Sequence, residues 1–216
     1  MKQGAIFDMD GLMFDTEALW QENWRRLAVK YGYEPSADFG RDISGTSGET
    51  MLGVVRKYYP GIDAEQFITE ERAAVEACLE QEVPLKKGLF ILLELFREHG
   101  VRMAVASSSR REMIQGNLRK AGCEDYFSVV LSSTEVERAK PAPDVFLAAA
   151  KALSLPPEEC YVFEDSFGGV CAGHAAGCVT VMIPDQLAPT EEIRSLADGV
   201  YEDLEQVAKA IEDGSL

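Results

Sequence analysis

Long apolar runs, paired cysteines, positive charge and histidine are what this chain has least of, and each shortage narrows its function. No stretch approaches the roughly 18 consecutive apolar residues that a membrane-spanning helix needs. The N-terminus reads as a strand, not as a basic leader followed by a long apolar stretch, so the expectation is a soluble protein of the cytoplasm without a membrane partner. The five cysteines, Cys78, Cys123, Cys160, Cys171 and Cys178, include no pair with metal-ligand spacing, and their odd number argues against a full disulfide framework. They read as small buried residues in a reducing compartment. Lys and Arg number 21 against 37 Asp and Glu, a formal charge of −16 that counts against nucleic acid and anionic membranes as partners. A small anionic substrate stays compatible, because a bound metal and a few placed cations set the local field whatever the total. Of the two histidines, His99 sits at a helix end where a cation suits the dipole, and His174 belongs to no motif. Neither is assigned a catalytic role. Internal repeats and low-complexity tracts are absent as well.

What is present is a chain of 216 residues with 46% hydrophobic content, enough for one large domain or a core with a modest insertion. Leu19, Trp20, Trp24, Leu27, Ala28 and Tyr31 recur at helical spacing until Gly32, and further helical patterns run over about 48–59 and 63–82. No convincing strand falls between Thr16 and Pro84. From Pro84 onward helices and short apolar strands alternate, with strands expected at 101–106, 128–131, 161–163 and 179–183, a weak one around Val200 and helices between them. Such alternation predicts an α/β fold, a Rossmann-like parallel sheet with helices on both faces. The helical stretch then becomes a small all-helical cap inserted after the first strand. The expected division is a core of residues 1–13 and 85–216 and a cap of 14–84.

The chain opens on Ala5-Ile6-Phe7-Asp8-Met9-Asp10-Gly11, a short apolar strand that delivers two carboxylates one residue apart and then a glycine. Two acids at the end of a buried strand repel each other and lose hydration, so a cation belongs between them. A hard divalent ion with oxygen ligands, Mg2+ first, answers that need. A plain surface turn would use the same residues. A calcium loop would not, because its fifth and twelfth positions are Leu12 and Leu19.

In an open parallel sheet, ligands gather beyond the carboxyl ends of the strands. Here those ends carry Asp8 and Asp10, then Ser107-Ser108-Ser109, then the loop with Lys140-Pro141-Ala142-Pro143, then Glu164-Asp165-Ser166. Each group alone is an ordinary helix cap or helix start. Together they set acids, hydroxyls and a cation on one edge.

In this order and on these elements, Asp8-Met9-Asp10-Gly11, Ser107, Lys140 and Glu164-Asp165 resemble the four motifs of the haloacid dehalogenase (HAD) superfamily. The wider matches, through Asp15-Thr16, Ala139-Lys140-Pro141 and Phe163-Glu164-Asp165-Ser166, resemble its β-phosphoglucomutase-like branch. The resemblance covers nearly the whole chain. It implies Asp8 as nucleophile, Asp10 as the acid and base, Ser107 and the Ser108 backbone N–H as phosphoryl contacts, and Lys140 as the cation that aligns Asp8. It implies Mg2+ held by Asp8, the Asp10 carbonyl and Asp165, with Glu164 nearby or ligating. Dehalogenases resembling this fold lack an acid two residues after the nucleophile, so Asp10 points to phosphoryl transfer.

For the leaving group, Gly45, Thr46 and Ser47 are expected to contact substrate, with Trp24 a further candidate; aromatics at that spacing also suit a cap core. Arg110 and Arg111 follow the serine loop and could widen the positive patch. Two features of a true β-phosphoglucomutase are missing: Gly48 stands where an Arg would hold a second phosphate, and Trp20 where a His is expected. The expectation is therefore a monomeric phosphatase for a small phosphorylated metabolite, with a sugar-phosphate mutase as the alternative.

Overall fold

The computed structural model describes residues 1–43, 46, 48–81, 83–185 and 187–216. Six strands, β1 (Gly4–Phe7), β2 (Arg102–Ser107), β3 (Val129–Ser132), β4 (Cys160–Glu164), β5 (Val179–Met182) and β6 (Gly199–Val200), form one sheet. Every pairing in it is parallel, in the order β3-β2-β1-β4-β5-β6. A parallel strand buried on both faces needs apolar residues at every position, and β1 is buried along its whole length. Successive side chains leave it in opposite directions. Ile6 joins Ala104, Val145, Phe146, Val162 and Ala172 in one core cluster. Phe7 instead meets Phe96, Phe127 and Phe163 at ring centroid distances of 6.2, 5.7 and 5.0 Å.

The crossover segments carry α5 (Leu89–Glu98), α6 (Arg111–Lys120), α7 (Asp144–Ala152), α8 (Phe167–Ala176) and α9 (Glu191–Leu196), with α10 (Leu204–Asp213) closing the chain. The α/β sheet is the expected one. Strand order reverses beside β1, where β2 and β4 flank it, and that is where such sheets open a crevice at their carboxyl ends.

The chain divides into two compact units, residues 1–15 with 84–216, and residues 16–83. These limits lie slightly inside the expected 14–84. Asp15 N donates to the Pro84 carbonyl at 2.9 Å, Lys86 N donates to the Met13 carbonyl at 2.9 Å, and Phe14 bridges Leu85, which ties both connecting segments to the sheet unit. The inserted unit is helical: α1 (Thr16–Lys30), α2 (Ala37–Ile43), α3 (Gly48–Tyr58) and α4 (Ala64–Gln81). Its core is aromatic, with Trp24 stacked on Phe67 at 5.6 Å and edge-on to Phe39 at 5.5 Å. The short α2 escaped the periodicity, since seven residues make only two turns and Gly40 interrupts them. Among the described residues no helix is long and apolar enough to cross a membrane.

Candidate active site

Three neighbouring strands end together. Phe7 lies level with Val105 of β2 and Phe163 of β4, so the next residue along, Asp8, emerges beside Glu164, and its N–H donates to the Phe163 carbonyl at 3.0 Å. Lys140 arrives from the segment before α7. Its ammonium donates to Asp8 Oδ1 and Glu164 Oε1 at 2.6 Å each, and to the Ala106 carbonyl at 3.0 Å. Ser166 N–H and Oγ donate to the other Glu164 oxygen at 3.2 and 2.9 Å. Glu164 is 0% exposed, and Gly169 clears space for it: a Cβ there would come within 1.8 Å of the carboxylate.

Ligand oxygens of Asp8, Glu164 and Asp165 lie within 4.8 Å of one another. Burial pushes the Asp8 carboxyl up to about 7, with Lys140 opposing and Glu164 and Asp10 adding. Burial likewise raises Asp165 well above the usual carboxylate range, reinforced by the charges of Glu164, Asp8 and Asp185. Burial works against the Lys140 charge, but Asp8 and Glu164 outweigh it and hold the ammonium protonated. Three crowded carboxylates with a single lysine between two of them fit a hard dication: the donors are all oxygen and carry an excess of negative charge. Asp165 sits over Gly11, whose φ is +82° and whose missing Cβ would fall 2.3 Å from Asp165 Oδ2.

The Asp10 carboxylate is engaged elsewhere. Ser109 Oγ donates to Asp10 Oδ2 at 2.7 Å, and Ser107 Oγ reaches the same oxygen at 3.5 Å. Ser107 is buried at the end of β2, with exposed Ser108 beside it. Nothing in the sequence distinguishes Ser109 from the other serines of its run, since all three stand just before a helix. Asp185 and Lys86 also belong to this edge, and no short motif contains them.

Other expectations change. Trp24 is 5% exposed inside the aromatic core of the helical unit, so it supports that core and is withdrawn as a substrate contact. Thr46 Oγ1 donates to the Ile43 carbonyl at 2.7 Å and finishes α2. Gly45 and Ser47 lie outside the described residues. Arg111 binds both oxygens of Glu135 at 2.5 and 2.6 Å, which commits its charge away from a phosphate, and Arg110 is exposed just before α6.

Residues 5–183 match the family of haloacid dehalogenase-like hydrolases. The chain belongs to this family. It is a HAD hydrolase, and Asp8, Ser107, Lys140 and Glu164-Asp165 stand within the matched region. A phosphorylated carbohydrates phosphatase of Thermotoga maritima is 34% identical over 81% of this chain and 82% of its own length. A bifunctional riboflavin kinase/FMN phosphatase of Arabidopsis thaliana is 32% identical over 93% of this chain. The chain spans 53%, about half, of that longer relative. A HAD family hydrolase of Deinococcus radiodurans R1, solved with bound phosphate and sodium, shares the fold with a TM-score of 0.83 at 24% identity, covering 99% of this HAD chain and 96% of the other.

Proposed function

We propose that this HAD hydrolase is a Mg2+-dependent phosphatase that cleaves a small phosphorylated metabolite, a sugar phosphate in the first instance, through a phosphorylated Asp8. The observation that carries the reading is the position of Lys140, 2.6 Å from both Asp8 and Glu164. A lysine held there fixes one Asp8 oxygen and leaves the other to attack phosphorus. As that bond forms, the bond from phosphorus to the leaving oxygen breaks, which splits one hard displacement into two easier ones. Asp10 gives its proton to the leaving alcohol, then takes one from the water that cleaves the aspartyl-phosphate and frees Asp8 and inorganic phosphate. Ser107 Oγ and the Ser108 N–H take the remaining phosphoryl oxygens.

Asp8, Asp165 and the Asp10 carbonyl would hold Mg2+, with Glu164 beside them keeping Lys140 in place. Bound there, the ion supplies the charge compensation that lets an anion approach a phosphate dianion. Choice of the leaving group falls to the helical insertion. In that unit Gly48 opens α3 with nothing within 4 Å of where its Cβ would be, and Trp20 packs against the aromatic core. Neither side chain offers a second phosphate a charged partner, which favours hydrolysis over mutase chemistry.

The test is phosphate release from a panel of phosphorylated sugars and related metabolites, with Mg2+ and with EDTA, beside a coupled assay for conversion of β-glucose 1-phosphate to glucose 6-phosphate. Release that needs Mg2+ and occurs without isomer conversion is expected. Efficient conversion with little phosphate released would make the protein a mutase. Asp8→Asn should abolish turnover, and substantial residual activity would remove Asp8 as nucleophile.

A further inference from the structure

One acid on the catalytic edge has no part in this mechanism. Asp185 follows β5, whose Met182 lies level with Glu164 of β4. A Cβ on Gly11 would lie 2.3 Å from Asp165 Oδ2 and 3.4 Å from Asp185 Oδ2, so the two carboxylates share the space over that glycine. The other Asp185 oxygen accepts a 2.6 Å bond from Lys86 Nζ, and the same ammonium lies 3.1 Å from Asp15 Oδ1. The Asp185 side chain is largely buried, at 8% exposure. A carboxylate kept out of water beside Asp165 is stabilised by a cation, and Lys86 supplies it.

Lys86 and Asp15 lie on the two segments through which the chain enters and leaves the helical insertion. Those segments are paired by the Asp15-to-Pro84 and Lys86-to-Met13 backbone bonds. The ion pair therefore joins the acidic cluster to the connection that carries the insertion.

We propose that Asp185 and Lys86 are positioning residues that couple divalent-cation binding at Asp165 to the paired segments leading to the helical insertion. The proposal rests on the Mg2+ reading above. A dication at Asp165 attracts Asp185 and repels Lys86, so it competes with the lysine for one carboxylate. Cation binding loosens the clamp on the segments, and by thermodynamic reciprocity a loosened clamp favours the cation. The two substitutions must then act in opposite senses. Asp185→Asn removes a charge that helps hold the ion, whereas Lys86→Met removes one that opposes it.

The experiment combines calorimetry of Mg2+ binding with hydrogen exchange of the two segments, with and without Mg2+, in the wild-type protein and both variants. Asp185→Asn should weaken Mg2+ binding about tenfold, the usual scale for a group that supports a metal ligand. Lys86→Met should tighten it several-fold. In the wild type, Mg2+ should speed exchange of the Asp15 and Lys86 amides several-fold, and in either variant it should leave them unchanged. A pair that is merely structural would shift Mg2+ affinity in the same direction in both variants, or not at all, and either result overturns the proposal. Wild-type exchange that ignores bound Mg2+ overturns it too, even if a variant fails to fold. If the wild type takes up no Mg2+, the metal reading itself falls and the coupling falls with it.

Discussion

Ser109 Oγ donates to Asp10 Oδ2 at 2.7 Å, while Ser107 Oγ, which accepts the Ser109 N–H at 3.0 Å, reaches that oxygen only at 3.5 Å. The third serine of the run thus orients the Asp10 carboxylate, which leaves the Ser107 hydroxyl for the phosphoryl contact proposed above. Ser132 Oγ, donating to the Ser109 carbonyl at 2.7 Å, holds the turn that makes this possible.

Ser109→Ala should lower kcat up to about tenfold with little change in KM, because the hydrogen bond that orients Asp10 contributes about 0.5–1.5 kcal/mol. Steady-state kinetics beside a thermal melt decide it. A wild-type kcat would mean that Asp10 finds its orientation without Ser109.

Lys140→Met leaves Asp8 and Glu164 facing each other, in surroundings where the Lys140 side chain is 8% and the Glu164 side chain 0% exposed. Removing one partner from a buried pair costs about 3–5 kcal/mol. The lower end is expected, since Asp8 can take up a proton. Urea unfolding without Mg2+ measures the loss, and an unchanged midpoint and slope would show that the lysine does not stabilise the site.

Glu71, on α4, is fully buried, and neither carboxylate oxygen has a hydrogen-bond partner among the described residues. Burial pushes it from 4.5 up to about 8. The folded protein binds this proton more tightly than the unfolded chain, so the stability it contributes is complete below the unfolded value and is lost as pH climbs through about 8. Within that window stability should fall by up to about 1.4 kcal/mol per pH unit. Glu71→Gln keeps the shape without the charge, so it should flatten the profile and exceed the wild type above that window. Parallel profiles in thermal melts taken across the window would exclude Glu71 as the source.

Gly11→Ala forces a Cβ to within 2.3 Å of Asp165 Oδ2 at a φ of +82°. About 1–2 kcal/mol is expected from the backbone alone. The displaced carboxylate should raise the Mg2+ requirement sharply, as Asp165→Ala should. A Mg2+ titration of activity showing wild-type dependence in Gly11→Ala would mean that Asp165 can move without consequence.

Much of this was legible in the chain because the information is local. Five of the sheet's strands, β1 to β5, announce themselves through short apolar runs, with observed limits within about a residue of those expected, and helices α5 to α8 fall between them as expected. The Asp8-Met9-Asp10-Gly11 and Glu164-Asp165-Ser166 groups were visible for the same reason: their members are neighbours in sequence, and a parallel sheet places every strand end on one edge.

By itself, then, the sequence determined the fold class, the carboxyl edge of the sheet and the residues at its strand ends, since periodicity and strand polarity act over a few residues. Only tertiary structure decided which serine meets Asp10, because that depends on a turn held from β3. It also decided that Trp24 is core, because Phe39 and Phe67 come from other helices to bury it. The Lys86–Asp185 pair spans 99 residues, and no spacing rule reaches so far. Those two side chains meet because β5 brings the end of one segment beside the segment that returns from the helical insertion, and a charge that must leave water takes the nearest opposite charge the fold provides.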